Sequence, residues 1–147
     1  MQHLQELKVV ITAAASGLGS EIATTLSKNG SKVFICDNDK LALRKFSEEN
    51  PTINCFHADV SNESQMKEFF EGIKDQFKEI DVLINNAGIS GSSAKVEDFD
   101  FKDWKNTLKT NLDGTFLSTK LAVPLLKNKG GSIINMGSTS SFLGTPL

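Results

Sequence analysis

A glycine-containing turn near the start of the chain has the residue types needed to bind a phosphate group. An apolar run ending at Thr12 is followed by helix-like sequence, and the turn between them contains Ala13, Ser16, Gly17, Leu18 and Gly19. Glycines permit backbone angles and close approaches that a side chain blocks, and the N-H groups at a helix N-terminus carry partial positive charge. The pattern therefore indicates a pyrophosphate cradle, although Gly-x-Gly also occurs in ordinary turns.

Carboxylates follow the next two apolar runs of the chain. Asp37 ends the second run, and Asp59, with Val60 beside it, follows the third. A carboxylate after the second strand of a nucleotide-binding fold accepts hydrogen bonds from the ribose hydroxyls of adenosine, and it repels a 2'-phosphate. Asp59 and Val60 suit the exocyclic amine and ring edge of a purine. The carboxylate of Asp37 therefore favours NAD over NADP. The alternative interpretation of 37–39 is a solvated turn, and that of 58–60 is a helix-capping loop.

These residues are positioned by an alternation of short apolar runs and helical patterns. Strands are predicted at 7–12, 32–37, 53–58, 81–85 and 132–136, and helices at 20–28, 41–47, 66–77 and 103–127. Ser61 or Asn62 is placed to cap the third helix, whose apolar stripe indicates a core face. Such alternation predicts an α/β fold, a doubly wound, Rossmann-like parallel sheet in one dinucleotide-binding domain over 1–147.

Composition excludes several other classes of function. The 147 residues are 39% apolar and 23% charged with a net charge of −2, which is ordinary for one globular domain without a basic face for nucleic acid or an anionic membrane. The sequence has no membrane-length apolar run and no signal-peptide pattern, so a cytoplasmic protein is expected. Cys36 and Cys55 are predicted to be reduced core thiols, with a redox or incidental metal role as the alternative. His3 and His57 do not form a ligand set, so no metal is predicted.

Five motifs in order carry a resemblance to a known family. Thr12, Ala13, Gly17 and Gly19 match a Thr-Gly-x-x-x-Gly-x-Gly turn, and Asp59-Val60 is followed by Asn-Asn-Ala-Gly at 85–88. The segments 110–116 and 131–138 match a helix and a strand of the same family. Through these motifs, which span almost the whole chain, the sequence resembles the conventional short-chain dehydrogenase/reductases.

The resemblance implies roles for residues that spacing alone does not single out. It implies that the Asn86-Ala87-Gly88 backbone faces the middle of an NAD cofactor, that Asn111 interrupts a helix and holds a proton-relaying water, and that Ser138 hydrogen-bonds the substrate oxygen. The implied reaction is hydride transfer that interconverts an alcohol and a carbonyl in a small molecule. From the residues alone, Asn111 is an ordinary helix residue and Ser138 a turn serine, while Asn85 and Asn135 brace strand ends.

The sequence departs from the family pattern in two ways. The family uses a Tyr-x-x-x-Lys pair as its acid/base, but the sequence contains no tyrosine, so the pair is expected beyond Leu147 and this chain alone is expected to be inactive. The sheet would then be incomplete at its C-terminal edge, and the apolar helix at 103–127 is expected to form a homo-oligomer. The alternative is a non-catalytic nucleotide-binding or dimerisation module.

The second departure is Ala13, which stands where the family has Gly. The added methyl group is expected to crowd the adenosine ribose or the turn. A penalty of about 1 kcal/mol corresponds to about fivefold in affinity.

Overall fold

The structure, a computed structural model, describes residues 5–126, 130–141 and 143. Five parallel strands form one sheet in the order β3-β2-β1-β4-β5. The strands are β1 (Lys8–Thr12), β2 (Lys32–Asp37), β3 (Asn54–His57), β4 (Val82–Asn85) and β5 (Ser132–Asn135). The helices are α1 (Gly17–Lys28), α2 (Lys40–Glu49), α3 (Glu63–Phe77), α4 (Phe101–Leu108) and α5 (Gly114–Leu126). This architecture confirms the predicted α/β class and parallel sheet.

Apolar side chains cover both faces of the sheet. On one face, Phe34 and Leu83 pack with α3 residues, and the four α3 positions Met66, Phe69, Phe70 and Ile73 are buried. On the other face, Ile11 and Ile35 pack with residues of α1 and α2. The predicted core stripe of α3 is therefore confirmed, and its N-cap is Asn62, whose side chain accepts a hydrogen bond from the Gln65 N-H.

Helix α1 begins three residues earlier than predicted, at Gly17 rather than at residue 20. Ser16 is extended, with φ −151°, and the backbone turns directly into the helix after it. Two of the turn's glycines therefore belong to the first turn of α1. This places the unpaired N-H groups of the helix N-terminus within the glycine segment itself.

The helical stretch predicted over 103–127 is present up to Leu126, with a π-helical turn inside it, and position 127 lies outside the described residues. The structure begins it at Phe101 and separates α4 from α5 by a π-helical segment, Lys109–Asp113. A π-helical turn widens the backbone by one residue, which hydrophobic periodicity does not report. Asn111 lies in the middle of this segment, so the interruption that the resemblance implied is present.

The β5 side of the molecule exposes much of its apolar surface. All four β5 residues are exposed, as are Trp104 of α4, Leu112 of the π-helical segment and Phe116 of α5. Within the described ranges, no helix combines the length and apolar character needed to cross a membrane.

Candidate functional site

The glycine turn leaves open space above the N-terminus of α1. Gly17 has φ +57°, a left-handed conformation that glycine adopts without strain, and a Cβ built on it would meet no atom within 4 Å. Gly19 is different, because a Cβ there would lie 2.7 Å from the Ala13 carbonyl oxygen and 2.8 Å from the Ala14 Cα. Gly17 therefore keeps the turn shape, and Gly19 lets α1 approach the end of β1.

Ala13 adopts a conformation that favours glycine. Its φ is +50°, and non-glycine residues there carry a strain of about 1 kcal/mol. Its carbonyl oxygen accepts a hydrogen bond from the Asn86 side-chain nitrogen at 2.8 Å, which holds the peptide in place. The cost of this alanine therefore includes backbone strain, in line with the penalty of about 1 kcal/mol expected from the sequence for a misplaced methyl group or a strained backbone.

The Asp37 carboxylate is held in place at the end of β2. One of its oxygens accepts from the Ala15 N-H and the other from the Asp39 N-H, each at 3.0 Å. Asp37 is buried, and the hydrogen bond from the Ala15 N-H holds its carboxylate directly beside the glycine turn. Each carboxylate oxygen has a second acceptor position, so the group can still bind a ligand hydroxyl.

Asp59 and Val60 form the start of the loop that follows β3. One Asp59 oxygen, Oδ1, accepts from the Ser61 N-H at 2.8 Å, and Oδ2 accepts no hydrogen bond from the part of the chain that is described. Val60 is buried and packs against α5, where a Cβ on Gly114 would lie 2.7 Å from its Cγ2. The Asp59 carbonyl accepts from the N-H of Asn62, so the loop turns directly into the residue that caps α3.

Thr12 joins the ends of β1 and β4. Its hydroxyl accepts from the Asn86 N-H at 3.0 Å and from the Ala87 N-H at 3.1 Å. The Asn86 side chain donates in return to the carbonyls of Thr12 and Ala13. Thr12 is buried, so in this structure it positions the loop after β4 rather than facing solvent.

A cleft of about 330 Å³ opens at the carboxyl ends of the strands. Eight of the predicted cofactor residues line it: Ala13, Ser16, Asp37, Asp59, Val60, Asn86, Ala87 and Gly88. The other four, Thr12, Gly17, Leu18 and Gly19, lie in or beside the turn without lining the cleft. Five lining residues were missed in the sequence: Asn38, Asp39, Ala58, Ile89 and Thr110. Asn38 and Asp39 follow Asp37 directly and were identifiable by position, whereas nothing in the residue types of Ile89 and Thr110 marks them.

Asn111 and Ser138, the two predicted catalytic residues, lie outside the lining of this cleft. The Asn111 amide bonds to both backbone groups of Ile89, accepting from its N-H at 2.9 Å and donating to its carbonyl at 2.8 Å. It thereby connects the π-helical segment to the loop after β4. Ser138 follows β5 and is exposed, and its hydroxyl accepts from the Ser140 N-H at 3.1 Å.

Asn85 and Asn135 brace the ends of their strands, as predicted. The Asn85 side chain donates to the Asn135 side-chain oxygen at 2.8 Å and to the Thr119 hydroxyl at 3.1 Å. Its own Oδ1 is buried and accepts no hydrogen bond from the residues that the structure describes. This network links β4, α5 and β5 just before the segment that carries Ser138.

Both cysteines are free thiols, Cys36 in β2 and Cys55 in β3. Burial raises the pKa of Cys36 to about 12 and the pKa of Cys55 to about 11. Cys36 is a core thiol as predicted, whereas Cys55 is only half-buried. In the described part of the chain, no three His, Cys, Asp or Glu side chains are arranged to hold a metal ion.

Comparison with known proteins agrees with this arrangement. The family model described as short chain dehydrogenase matches residues 7–147. The chain belongs to the short-chain dehydrogenase family. The match includes the glycine turn, the cleft and the segment with Ser138.

Individual members of the short-chain dehydrogenase family are longer than this chain. It is 35% identical to the uncharacterized oxidoreductase YxbG of Bacillus subtilis, over 95% of this chain and 53% of that protein. It is also 35% identical to a mitochondrial borneol dehydrogenase of Lavandula x intermedia, over 99% of this chain and 58% of that protein. The chain thus spans little more than half the length of these relatives.

A solved structure of the same fold contains a nicotinamide cofactor. The chain superposes on actinorhodin polyketide ketoreductase with NADPH at a TM-score of 0.89 and 29% sequence identity, covering 95% of this chain and 56% of that one. This likeness confirms the Rossmann-like class of the fold.

Proposed function

We propose that this chain is the cofactor-binding part of an NAD-dependent oxidoreductase that interconverts an alcohol and a carbonyl by hydride transfer. The observation that carries the proposal is the convergence of eight predicted cofactor residues on one cleft at the carboxyl edge of the sheet. Family membership and the NADPH present in the related ketoreductase structure support a nicotinamide cofactor. When bound, its nicotinamide ring supplies the hydride chemistry.

The residues at the cleft fit a dinucleotide. The open space over Gly17, at the N-terminus of α1, suits a pyrophosphate, because helix N-H groups there have no intrahelical acceptor. Asp37 would accept the ribose hydroxyls, and the free Oδ2 of Asp59 would accept from the adenine amine. Asn86, Ala87 and Gly88 would contact the middle of the cofactor with their backbone.

Charge at the cleft favours NAD over NADP. The lining residues include three acids, Asp37, Asp39 and Asp59, and neither Lys nor Arg. A second phosphate beside Asp37 would meet like charge, and such repulsion amounts to about 4 kcal/mol at 4 Å for an effective dielectric constant near 20. We therefore propose NAD as the cofactor of this chain, although the related ketoreductase holds NADPH.

Titration calorimetry with NAD and NADP tests this proposal. We expect one NAD per chain and at least tenfold weaker binding of NADP. Asp37→Asn should reduce that discrimination at least tenfold, because the substituted side chain keeps the shape without the charge. Asp75→Asn, a matched change on the exposed surface of α3, should leave it unchanged. Equal affinity of the unmodified chain for NAD and NADP would contradict the proposal.

For catalysis we propose that Asn111 and Ser138 act together with a Tyr-x-x-x-Lys pair supplied outside these residues. Asn111 fixes the loop at Ile89 next to the cleft, and Ser138 stands at the end of β5 on the same edge of the sheet. Because the sequence contains no tyrosine, we expect no hydride transfer from the chain alone. Formation of NADH with a panel of alcohols, followed at 340 nm, would overturn this part.

A second candidate function is a non-catalytic module that associates through α4 and α5. The exposed apolar side chains on these helices and on the π-helical segment between them favour it: Trp104 is 51% exposed, and Leu112 and Phe116 are each 62% exposed. We propose a homo-oligomer through this face. Light scattering should show a dimer that Trp104→Glu converts to a monomer, while Glu97→Gln, outside the helices, should not. A monomer at every concentration would exclude this association.

A further inference from the structure

The loop that carries Asp59 and Val60 is held by a side chain that lies outside the cleft. The Asp59 N-H donates to Oε1 of Gln65 at 2.8 Å. Gln65 does not line the cleft, and it lies in the first turn of α3. Its own N-H is bonded to the Asn62 side chain at 3.2 Å, so the turn that presents Oε1 is itself capped.

Helix α3 gives this contact a rigid base. Met66, the residue after Gln65, is fully buried, and Phe69 is 1% exposed. Core packing of this kind fixes the position of the first turn of α3, because interior side chains have little freedom to move. Through the hydrogen bond from the Asp59 N-H to Gln65, the loop is held at a fixed position relative to the packed helix α3.

The geometry of Asp59 depends on this bond. Its Oδ1 accepts a hydrogen bond from the Ser61 N-H, two residues farther along the same loop. This bond orients the carboxylate within the loop but does not fix the loop relative to the rest of the fold. The Asp59 N-H is partly buried, so loss of its acceptor leaves an unpaired donor that must move toward water. A shift of the loop would carry Oδ2 away from the place where an adenine amine would donate.

We propose that Gln65 is a positioning residue for adenine recognition: it acts through Asp59 and sets the preference for a purine that carries an exocyclic amine. The inference rests on the proposed NAD-binding function and goes beyond it, because Gln65 does not line the cleft. Val60, which packs against Gly114 of α5, keeps the other side of the loop in place.

The test compares NAD with nicotinamide hypoxanthine dinucleotide, in which a carbonyl oxygen replaces the adenine amine. The full chain should bind NAD at least tenfold more tightly than the hypoxanthine analogue, since hydrogen bonds to charged groups are worth that factor or more. Gln65→Ala should reduce the preference to about threefold or less. Gln65→Glu keeps an acceptor at the same place and should retain most of it.

Two controls separate positioning from stability. Gln76→Ala makes the same chemical change at an exposed position of α3 and should leave the preference intact. In an Asp59→Ala background, Gln65→Ala should cause no further loss of preference, because the two residues act through one contact. A purely structural role would change the unfolding free energy without changing the ratio of the two affinities.

The outcomes distinguish this inference from the proposed function. If the chain binds NAD with the expected preference and Gln65→Ala keeps it, the positioning role is overturned while the proposed function stands. Equal losses in Gln65→Ala and Gln76→Ala would also overturn it. If the unmodified chain binds neither dinucleotide, the proposed function fails and the role of Gln65 fails with it.

Discussion

Strands β1 and β2 are buried, whereas β5 at the far edge of the same sheet is exposed along its whole length. Four of five residues of β1 and five of six of β2 are buried, but none of the four in β5 is. The first region supplies the glycine turn and Asp37, and the second leads to Ser138. The difference indicates that the surroundings of the proposed cofactor site are packed within this chain, while those of the proposed catalytic serine are not.

The largest expected effect comes from the same substitution made in the two regions. Ile11→Ala in β1 removes a fully buried side chain and should lower the unfolding free energy by about 3 kcal/mol. Ile134→Ala in β5, where the side chain is 46% exposed, should cost less than about 1 kcal/mol. Urea unfolding measures both. Equal losses would show that the two regions are packed alike.

A pair of glycines sharpens the comparison at the backbone. Gly19→Ala brings a methyl group against backbone atoms of Ala13 and Ala14 and should destabilise the chain by about 2 kcal/mol, with loss of NAD binding. Gly137→Ala, after β5, meets nothing within 4 Å and should change stability by no more than about 0.5 kcal/mol. The prediction fails if Gly19→Ala is neutral in urea unfolding.

Alkaline pH should weaken the region around β2 and β3, which contains both thiols. The pKa of Cys36 is raised from 9.0 to about 12 and that of Cys55 to about 11. Above pH 9 and below the raised pKa of each thiol, the unfolded chain releases thiol protons that the folded chain keeps. The free energy of unfolding therefore falls as the pH rises above 9. The slope should approach about 1.4 kcal/mol per pH unit for each thiol. Urea unfolding from pH 8 to pH 10.5 tests this. Cys36→Ala should make the fall of the unfolding free energy with pH less steep, because only the thiol of Cys55 then contributes.

The smallest expected effect is a gain at the strained turn. Ala13→Gly removes the cost of an alanine at φ +50° and should raise the unfolding free energy by about 1 kcal/mol. Ala87→Gly, a change of the same kind at a residue without positive φ, should lower it instead. A loss of stability in Ala13→Gly would mean that the alanine is not strained there.

The sequence was sufficient to predict those elements and site residues that a residue type and its position in the chain identify together. Apolar runs located all five strands, and Asp37 and Asp59 were found because acids follow parallel strands at one edge. The break at Asn111 came from resemblance, since a π-helical turn leaves no mark in hydrophobic spacing. Gln65 was missed because its role depends on a hydrogen bond to a loop whose path the sequence does not describe.

The most direct test of the central claim is amide hydrogen exchange of the chain with and without NAD. The account predicts that NAD slows exchange in the glycine turn at 13–19 and in the loops at 37–39, 58–60 and 86–89, while exchange at 132–141 stays unchanged. NAD-dependent protection concentrated at 132–141, with none in the glycine turn, would contradict it.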